Sequence, residues 1–263
     1  MANLGRPLKV GILCSGRAPG LLHVLNRDPR RGTDYEIVCA VTSEETFAEE
    51  VRVERRGIPC VPHSIGAFCH EHGASRADLD ARAEYDRATL KILEPYHPDV
   101  LVLDGYGLLL TRPVQQEYDG RIIDVHPSDL LQRTSSGAVR YPGLRAVHDA
   151  LMNGETETRA SAHIVTDVLD DGPLLLRSWS FQAPPIAAWA RTHDAWDVLR
   201  ATAWAHQEWM LRDAWGPMLA RSIELAGLAM VRPDAPLDPA RAGRWALAFD
   251  GAFTPDGTMA ETL

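Results

Sequence analysis

Leu8-Lys9-Val10-Gly11-Ile12-Leu13-Cys14-Ser15-Gly16-Arg17-Ala18-Pro19-Gly20-Leu21-Leu22-His23-Val24-Leu25-Asn26 decides the fold. Leu8 to Cys14 is a short apolar run of the kind that makes a buried strand. Ser15 to Gly20 are turn formers, and Leu21 to Asn26 opens a helix. The same alternation continues outward. Tyr35 to Thr42 reads as a second strand, and Phe47 to Arg56 as a helix capped by Gly57. A short strand follows at Cys60-Val61. Ser75 to Tyr96 has helical spacing and ends before Pro98. Val100 to Leu103 is apolar without alternation, as in a strand covered on both faces. Ile122 to Val125 is a strand that ends directly at His126. These readings predict an α/β fold with a mostly parallel twisted sheet flanked by helices.

The second half has a different rhythm. Leu144 to Met152 reads as a helix stopped by Asn153-Gly154. Ser161 to Val165 and Leu174 to Phe181 read as strands with an acidic turn between them. Ala195 to Ala226 reads as one long, Trp-rich helical stretch. Beyond Pro233 the chain is rich in Pro, Gly and Ala, with a hairpin expected over 245–253 around Asp250-Gly251. A division into residues 1–228 and a C-terminal extension, 229–263, follows.

Bulk properties exclude several classes. The 263 residues carry a net charge of -9, which is no footprint for nucleic acid, though a few N–H groups could still bind a small anion. No apolar stretch approaches the ~20 residues of a membrane span. The N-terminus has no secretory pattern, and Cys14, Cys39, Cys60 and Cys69 show no CxxC spacing. A reduced, cytoplasmic protein is expected.

The chemistry concentrates at two places. Ligands of open α/β sheets bind outside the carboxyl ends of the strands, where His126 stands. Asp124, two residues earlier, lies on the same side of the strand. Asp170 sits in Val165-Thr166-Asp167-Val168-Leu169-Asp170-Asp171-Gly172-Pro173, a turn-rich segment with three carboxylates. Cys69-His70-Glu71-His72 lacks the i,i+4 spacing of helix-borne metal ligands, so no metal is expected.

Five segments in order carry a family likeness: Arg82-Ala83-Glu84-Tyr85-Asp86-Arg87, Pro98 to Leu103, Val125-His126-Pro127-Ser128, Tyr141-Pro142-Gly143-Leu144, and Val165 to Pro173. Through them, residues 8 to about 215 resemble the glycinamide ribonucleotide formyltransferase-like family of folate-dependent formyltransferases, which have a Rossmann-like fold. The resemblance implies 10-formyltetrahydrofolate, or another tetrahydrofolate one-carbon donor, and a small-molecule amine acceptor. His126 and Asp170 match two of the family's catalytic set of Asn, His and Asp. Leu108, Leu110, Val165 and Asp167 match the positions that hold the folate pterin. Arg17, Gly20 and Glu208 lie toward the acceptor.

This sequence also departs from the family. Asp124 stands where the family has Asn. The reaction needs a donor at the developing oxyanion and a proton shuttle, with His126 an imidazolium favoured by Asp170. An ionised carboxylate cannot donate a hydrogen there. Three readings stay open: a protonated Asp124, an altered reaction, or loss of catalysis. The first loop lacks one N–H at Pro19 and gains Arg17, so it is an altered version of the family's phosphate cradle. Asp129 to Arg140 is longer than the family norm. Asp104 either shapes the acceptor pocket or is a hydrogen-bonded strand-end residue. His163 either assists the site or is a core histidine. Trp196, Trp204, Trp209 and Trp215 read as core or subunit interface, and a homodimer through the C-terminal segment is open. The leading reading is transfer of a formyl or related one-carbon group to a specialised amine. The alternatives are a formyltetrahydrofolate hydrolase and a non-catalytic folate or nucleotide binder.

Overall fold

The sheet grows outward from β1, the opening apolar run. A computed structural model of the chain describes residues 5–231, 247–248, 251–253 and 259–260. In chain order the first half holds β1 (Leu8–Cys14), α1 (Leu21–Arg27), β2 (Tyr35–Thr42), α2 (Glu50–Glu54), β3 (Cys60–Pro62), α3 (Ile65–Glu71), α4 (Leu79–Leu93), β4 (Val100–Leu103), α5 (Arg112–Glu117) and β5 (Ile122–His126). The second half adds α6 (Ala146–Met152), β6 (Glu157–Thr158), β7 (Ser161–Ile164), β8 (Leu174–Arg177), β9 (Phe181–Gln182), α7 (Pro185–Thr192), α8 (Trp196–Asp213) and α9 (Trp215–Val231). The short strands β10 (Leu247–Ala248), β11 (Gly251–Phe253) and β12 (Met259–Ala260) follow.

Seven strands form one sheet in the order β3-β2-β1-β4-β5-β7-β8. β3 through β5 pair in parallel, and β7 and β8 add antiparallel at one side. The expected mostly parallel sheet is what forms. Val10, Ile12, Val100 and Val102 on one face, and Leu13 and Leu101 on the other, are buried because both faces are covered. Each such side chain contributes roughly 1.5–3 kcal/mol relative to exposure. The chain leaves β1 toward β2 and returns to β4 on β1's other side. The loops after β1 and β4 therefore part there, at the switch point that opens a crevice.

Several boundaries moved. The helix read over Phe47–Arg56 is only Glu50–Glu54, and that read from Ser75 starts at Leu79, where the Asp78 side chain caps the Asp80 and Ala81 N–H groups. Helix α3 was not anticipated; Ser64 caps it and Ile65 and Cys69 anchor its buried side. The long helix expected over 195–226 breaks at Ala214 into α8 and α9. Pro217 explains the break, since it has no N–H for the Asp213 carbonyl and its ring would clash there. Of the four tryptophans read as core or interface, Trp215 is buried, whereas Trp196, Trp204 and Trp209 are exposed. β10 and β11 pair antiparallel where the hairpin was expected; Asp250 lies outside the described residues. The division expected at residue 228 falls inside α9. Among the described residues, no helix is long and apolar enough to cross a membrane.

Candidate active site

β5 and β7 set the site by their register. Asp124 is directly opposite His163, and His126 opposite Ser161. Cross-strand partners share a face of the sheet, so His163 comes to Asp124, with Nε2 3.5 Å from Oδ2. Ser161 fixes the chain after His126: its hydroxyl donates to the Ser128 carbonyl at 2.7 Å and accepts from Leu130 N–H at 3.1 Å.

Asp170 arrives from the acidic loop. Its Oδ2 is 3.4 Å from His126 Nε2, and its Oδ1 is 4.0 Å from His163 Nε2. The residue adopts a left-handed backbone, φ +54°. Such a conformation in a non-glycine costs roughly 1–2 kcal/mol and persists only where surroundings enforce it. Gly143 N–H, donating to Oδ2 at 2.6 Å, is one such restraint. The long segment after Ser128 is another. It folds back on itself through a bridge between Arg133 and Val139, and Arg133 pairs with Asp171 beside the loop.

The charges are arranged differently from the sequence expectation. Burial lowers the His126 pKa and outweighs the opposing Asp170 and Asp124 carboxylates, a shift away from the imidazolium that Asp170 alone would favour. At His163, burial also pushes down, but Asp124 and Asp170 more than reverse it and the net shift is upward.

A cleft of about 200 Å³ opens above Asp124 and His126. Its walls include Ser15, Arg17 and Pro19 from the first turn, Tyr106 from the loop after β4, and Trp204 and Glu208 from α8. Arg17 and Glu208 therefore meet at the cleft, but as partners of each other, with hydrogen bonds of 2.9 and 3.2 Å. Gly20 does not reach it as a ligand-binding group. Its N–H, with that of Leu21, donates to the Asp104 carboxylate at 2.8–3.0 Å. A Cβ on Gly20 would lie 2.8 Å from Leu219. The first-turn N–H groups expected to cradle an acceptor's phosphate thus hold the protein's own carboxylate, and Asp104 is hydrogen-bonded at the strand end. Burial pushes this carboxyl up to about 7, while the Gly20 and Leu21 N–H groups pull it back. Asp104→Ala leaves two buried donors unpaired and is expected to destabilise the fold by about 2–3 kcal/mol, measured by urea unfolding.

The loops matching the pterin positions are pinned from behind. Arg82 donates to the Leu109 carbonyl, and Asp86 accepts from Thr111 N–H at 2.5 Å and Thr111 hydroxyl at 2.6 Å. The Arg82–Arg87 motif therefore shapes the loop after β4. Gln115 Nε2 bridges the Leu110 and Thr166 carbonyls, each at 3.1 Å, and ties that loop to the acidic one. Leu108 packs partly against Ile65, Cys69 and Tyr85, Leu110 is buried, Val165 is half-buried and Asp167 is exposed. Leu109, Val168 and Leu169 expose apolar surface on the same two loops. Asp104 was visible in sequence as an unusual carboxylate. Gln115 and the His163–Asp124 contact had no local signal, since both depend on strands or loops far apart in the chain.

A parallel-to-antiparallel sheet with a His–carboxylate centre at its carboxyl edge defines a Rossmann-like class of α/β proteins. The chain belongs to the formyl transferase family, whose model matches residues 8–194. It is 37% identical over 107 residues to a phosphoribosylglycinamide formyltransferase of Escherichia coli strain K12, covering 41% of this chain and 47% of that protein. The match thus spans about half the length of that relative. A formyltetrahydrofolate deformylase of Escherichia coli O6:H1 is 28% identical over 193 residues, 73% of this chain and 59% of that one. The fold is shared with a glycinamide ribonucleotide transformylase of Symbiobacterium toebii, with TM-score 0.59, 22% identity, and coverage of 83% and 90% of the two chains.

Proposed function

We propose that this protein transfers a formyl group from 10-formyltetrahydrofolate to a small-molecule amine. The observation that carries this reading is the placement of His126, whose pKa burial lowers, 3.4 Å from Asp170 at the floor of a cleft. As the amine adds to the formyl carbon, a tetrahedral oxyanion forms and the amine must lose a proton. His126 takes that proton, Asp170 stabilises the resulting imidazolium, and the proton then passes to the leaving folate nitrogen. Leu108, Leu110, Val165 and Asp167 lie on the two tied loops that would hold the pterin.

The acceptor in this reading is not held by a phosphate in the first turn. Asp104 occupies the N–H groups of the first turn, and Glu208 neutralises Arg17. The cleft continues past Leu144, Trp204 and Gln207 into a groove of about 580 Å³ lined by Met152, Trp196 and Ala203 and by Arg145, His148 and Arg200. The aromatic and aliphatic walls suit an acceptor with an aromatic or aliphatic body, and the arginines suit an anionic group carried on it.

The test offers the protein 10-formyltetrahydrofolate with aromatic amines and with phosphoribosylglycinamide, and follows formylated products by mass. Aromatic amines are expected to be preferred by about tenfold or more in kcat/KM. No formylated product from any amine would sink the transferase reading. The second reading, hydrolysis, is favoured by the blocked phosphate cradle and by the likeness to the deformylase. Formate release at the same rate without amine would establish it.

A further inference from the structure

Behind the cleft, three ligand-type groups surround one point without hydrogen-bonding to each other. A carboxylate oxygen of Asp124, His163 Nε2 and a carboxylate oxygen of Asp170 lie within 4.8 Å of one another. The His163 ring is 2% exposed, and its Nε2 has no hydrogen-bond partner. Its other nitrogen, Nδ1, is 3.1 Å from the Ile164 carbonyl, which can only accept, so Nδ1 carries a hydrogen. In the neutral ring, Nε2 then presents a lone pair to two carboxylates. That arrangement is repulsive unless a proton on Nε2 or a metal cation stands between them. His126 Nε2, also unpartnered, faces the same Asp170.

We propose that Asp124, His163 and Asp170 form a binding site for a divalent transition-metal ion of the Zn²⁺ or Mn²⁺ kind. Ligand atoms held at about 2.0–2.2 Å from one ion stand roughly 3–4 Å apart. The contacts of 3.5 and 4.0 Å from His163 Nε2 to the two carboxylates fit that spacing. The charges fit as well, since two carboxylates and a neutral imidazole balance a divalent ion. The Nδ1–H to carbonyl bond is the outer-shell contact that fixes a metal-binding histidine's tautomer. Three protein ligands leave a position open, and Asp124, which lines the cleft, places it toward a bound substrate. An amide at position 124 would remove one charge from this set, so the site is a consequence of the aspartate.

The ion also answers the electrostatic problem that Asp124 creates. It presents positive charge to the formyl oxygen, where an ionised aspartate alone would repel the oxyanion. That role rests on the proposed formyl transfer; ion binding does not.

The test titrates the whole chain, freed of metal with a chelator, with Co²⁺ followed by Zn²⁺. Calorimetry and visible absorption report binding, with no folate or amine present. One equivalent of Co²⁺ is expected to bind with a visible spectrum and to be displaced by Zn²⁺. Asp124→Asn and His163→Gln, each checked for folding by circular dichroism, should each weaken binding by more than about 100-fold, because loss of a ligand exceeds the 10–100-fold cost of losing its outer-shell partner. A His70→Ala/His72→Ala variant should bind as the unaltered chain does. Absence of saturable binding at millimolar ion overturns the proposal. So does retained affinity in either the Asp124 or the His163 variant, or loss confined to the His70/His72 variant. A negative result leaves the formylation assay free to succeed, so the two readings fail separately.

Discussion

His126→Ala is expected to lower kcat/KM for formyl transfer by roughly 100- to 10,000-fold, the range typical of removing a positioned proton shuttle. His126 combines burial, a lowered pKa and a carboxylate partner at the cleft floor. Without it, the attacking amine keeps its proton and Asp170 has no imidazolium to stabilise. Asp170 keeps its bond from Gly143 N–H, so the loop should stay in place and the chain should stay folded. His126→Gln separates the two tasks of the ring. Its amide can still donate a hydrogen toward an oxyanion, but it cannot carry a proton from amine to leaving group. It is expected to recover little of the rate. Steady-state kinetics on variants matched for thermal stability are the measurement. An unchanged rate in His126→Ala would move the proton transfer to another group.

Gly172→Ala is expected to cost about 3 kcal/mol of stability, at the upper end of ordinary overpacking. A Cβ there would stand 1.7 Å from the Ile164 carbonyl oxygen and 2.9 Å from its carbon. The obstacle is backbone, which cannot rotate aside as a side chain would. The same carbonyl accepts from His163 Nδ1, and Ile164 N–H donates to Pro173. Displacing it therefore loosens the ladder beside His163 and shifts the left-handed turn that aims Asp170. The melting temperature should fall by on the order of 6–12 °C, with activity lost below the melting range. A variant that melts like the unaltered chain would show that the loop approaches β7 less closely than described.

The sheet was legible because its evidence is local. Apolar runs such as Leu8 to Cys14 and Val100 to Leu103 must be covered on both faces, and the turns between them are written in Gly, Pro and Ser. The helix over 195–226 was misread because its apolar spacing runs straight through Pro217. Only the lost N–H and the ring clash reveal the break at Ala214. The tryptophans show a related limit of local spacing. Helical spacing places Trp204 and Trp215 on helices without saying which side faces a cleft and which faces the core.

The same contrast holds at the centre from which the fold was read. From Leu8 to Asn26 the sequence alone determined a strand, a turn and a helix, because those preferences act between neighbouring residues. It also marked Asp124, His126 and Asp170 by chemistry and order. What occupies the turn was decided by tertiary structure, since Asp104 reaches Gly20 and Leu21 only when β4 pairs beside β1. Likewise His163 meets Asp124 only through the antiparallel register of β5 and β7. Burial then pushed the His126 pKa down against its two carboxylate neighbours. Such charges and contacts depend on desolvation and on partners distant in the chain, and neither is fixed until the sheet has closed.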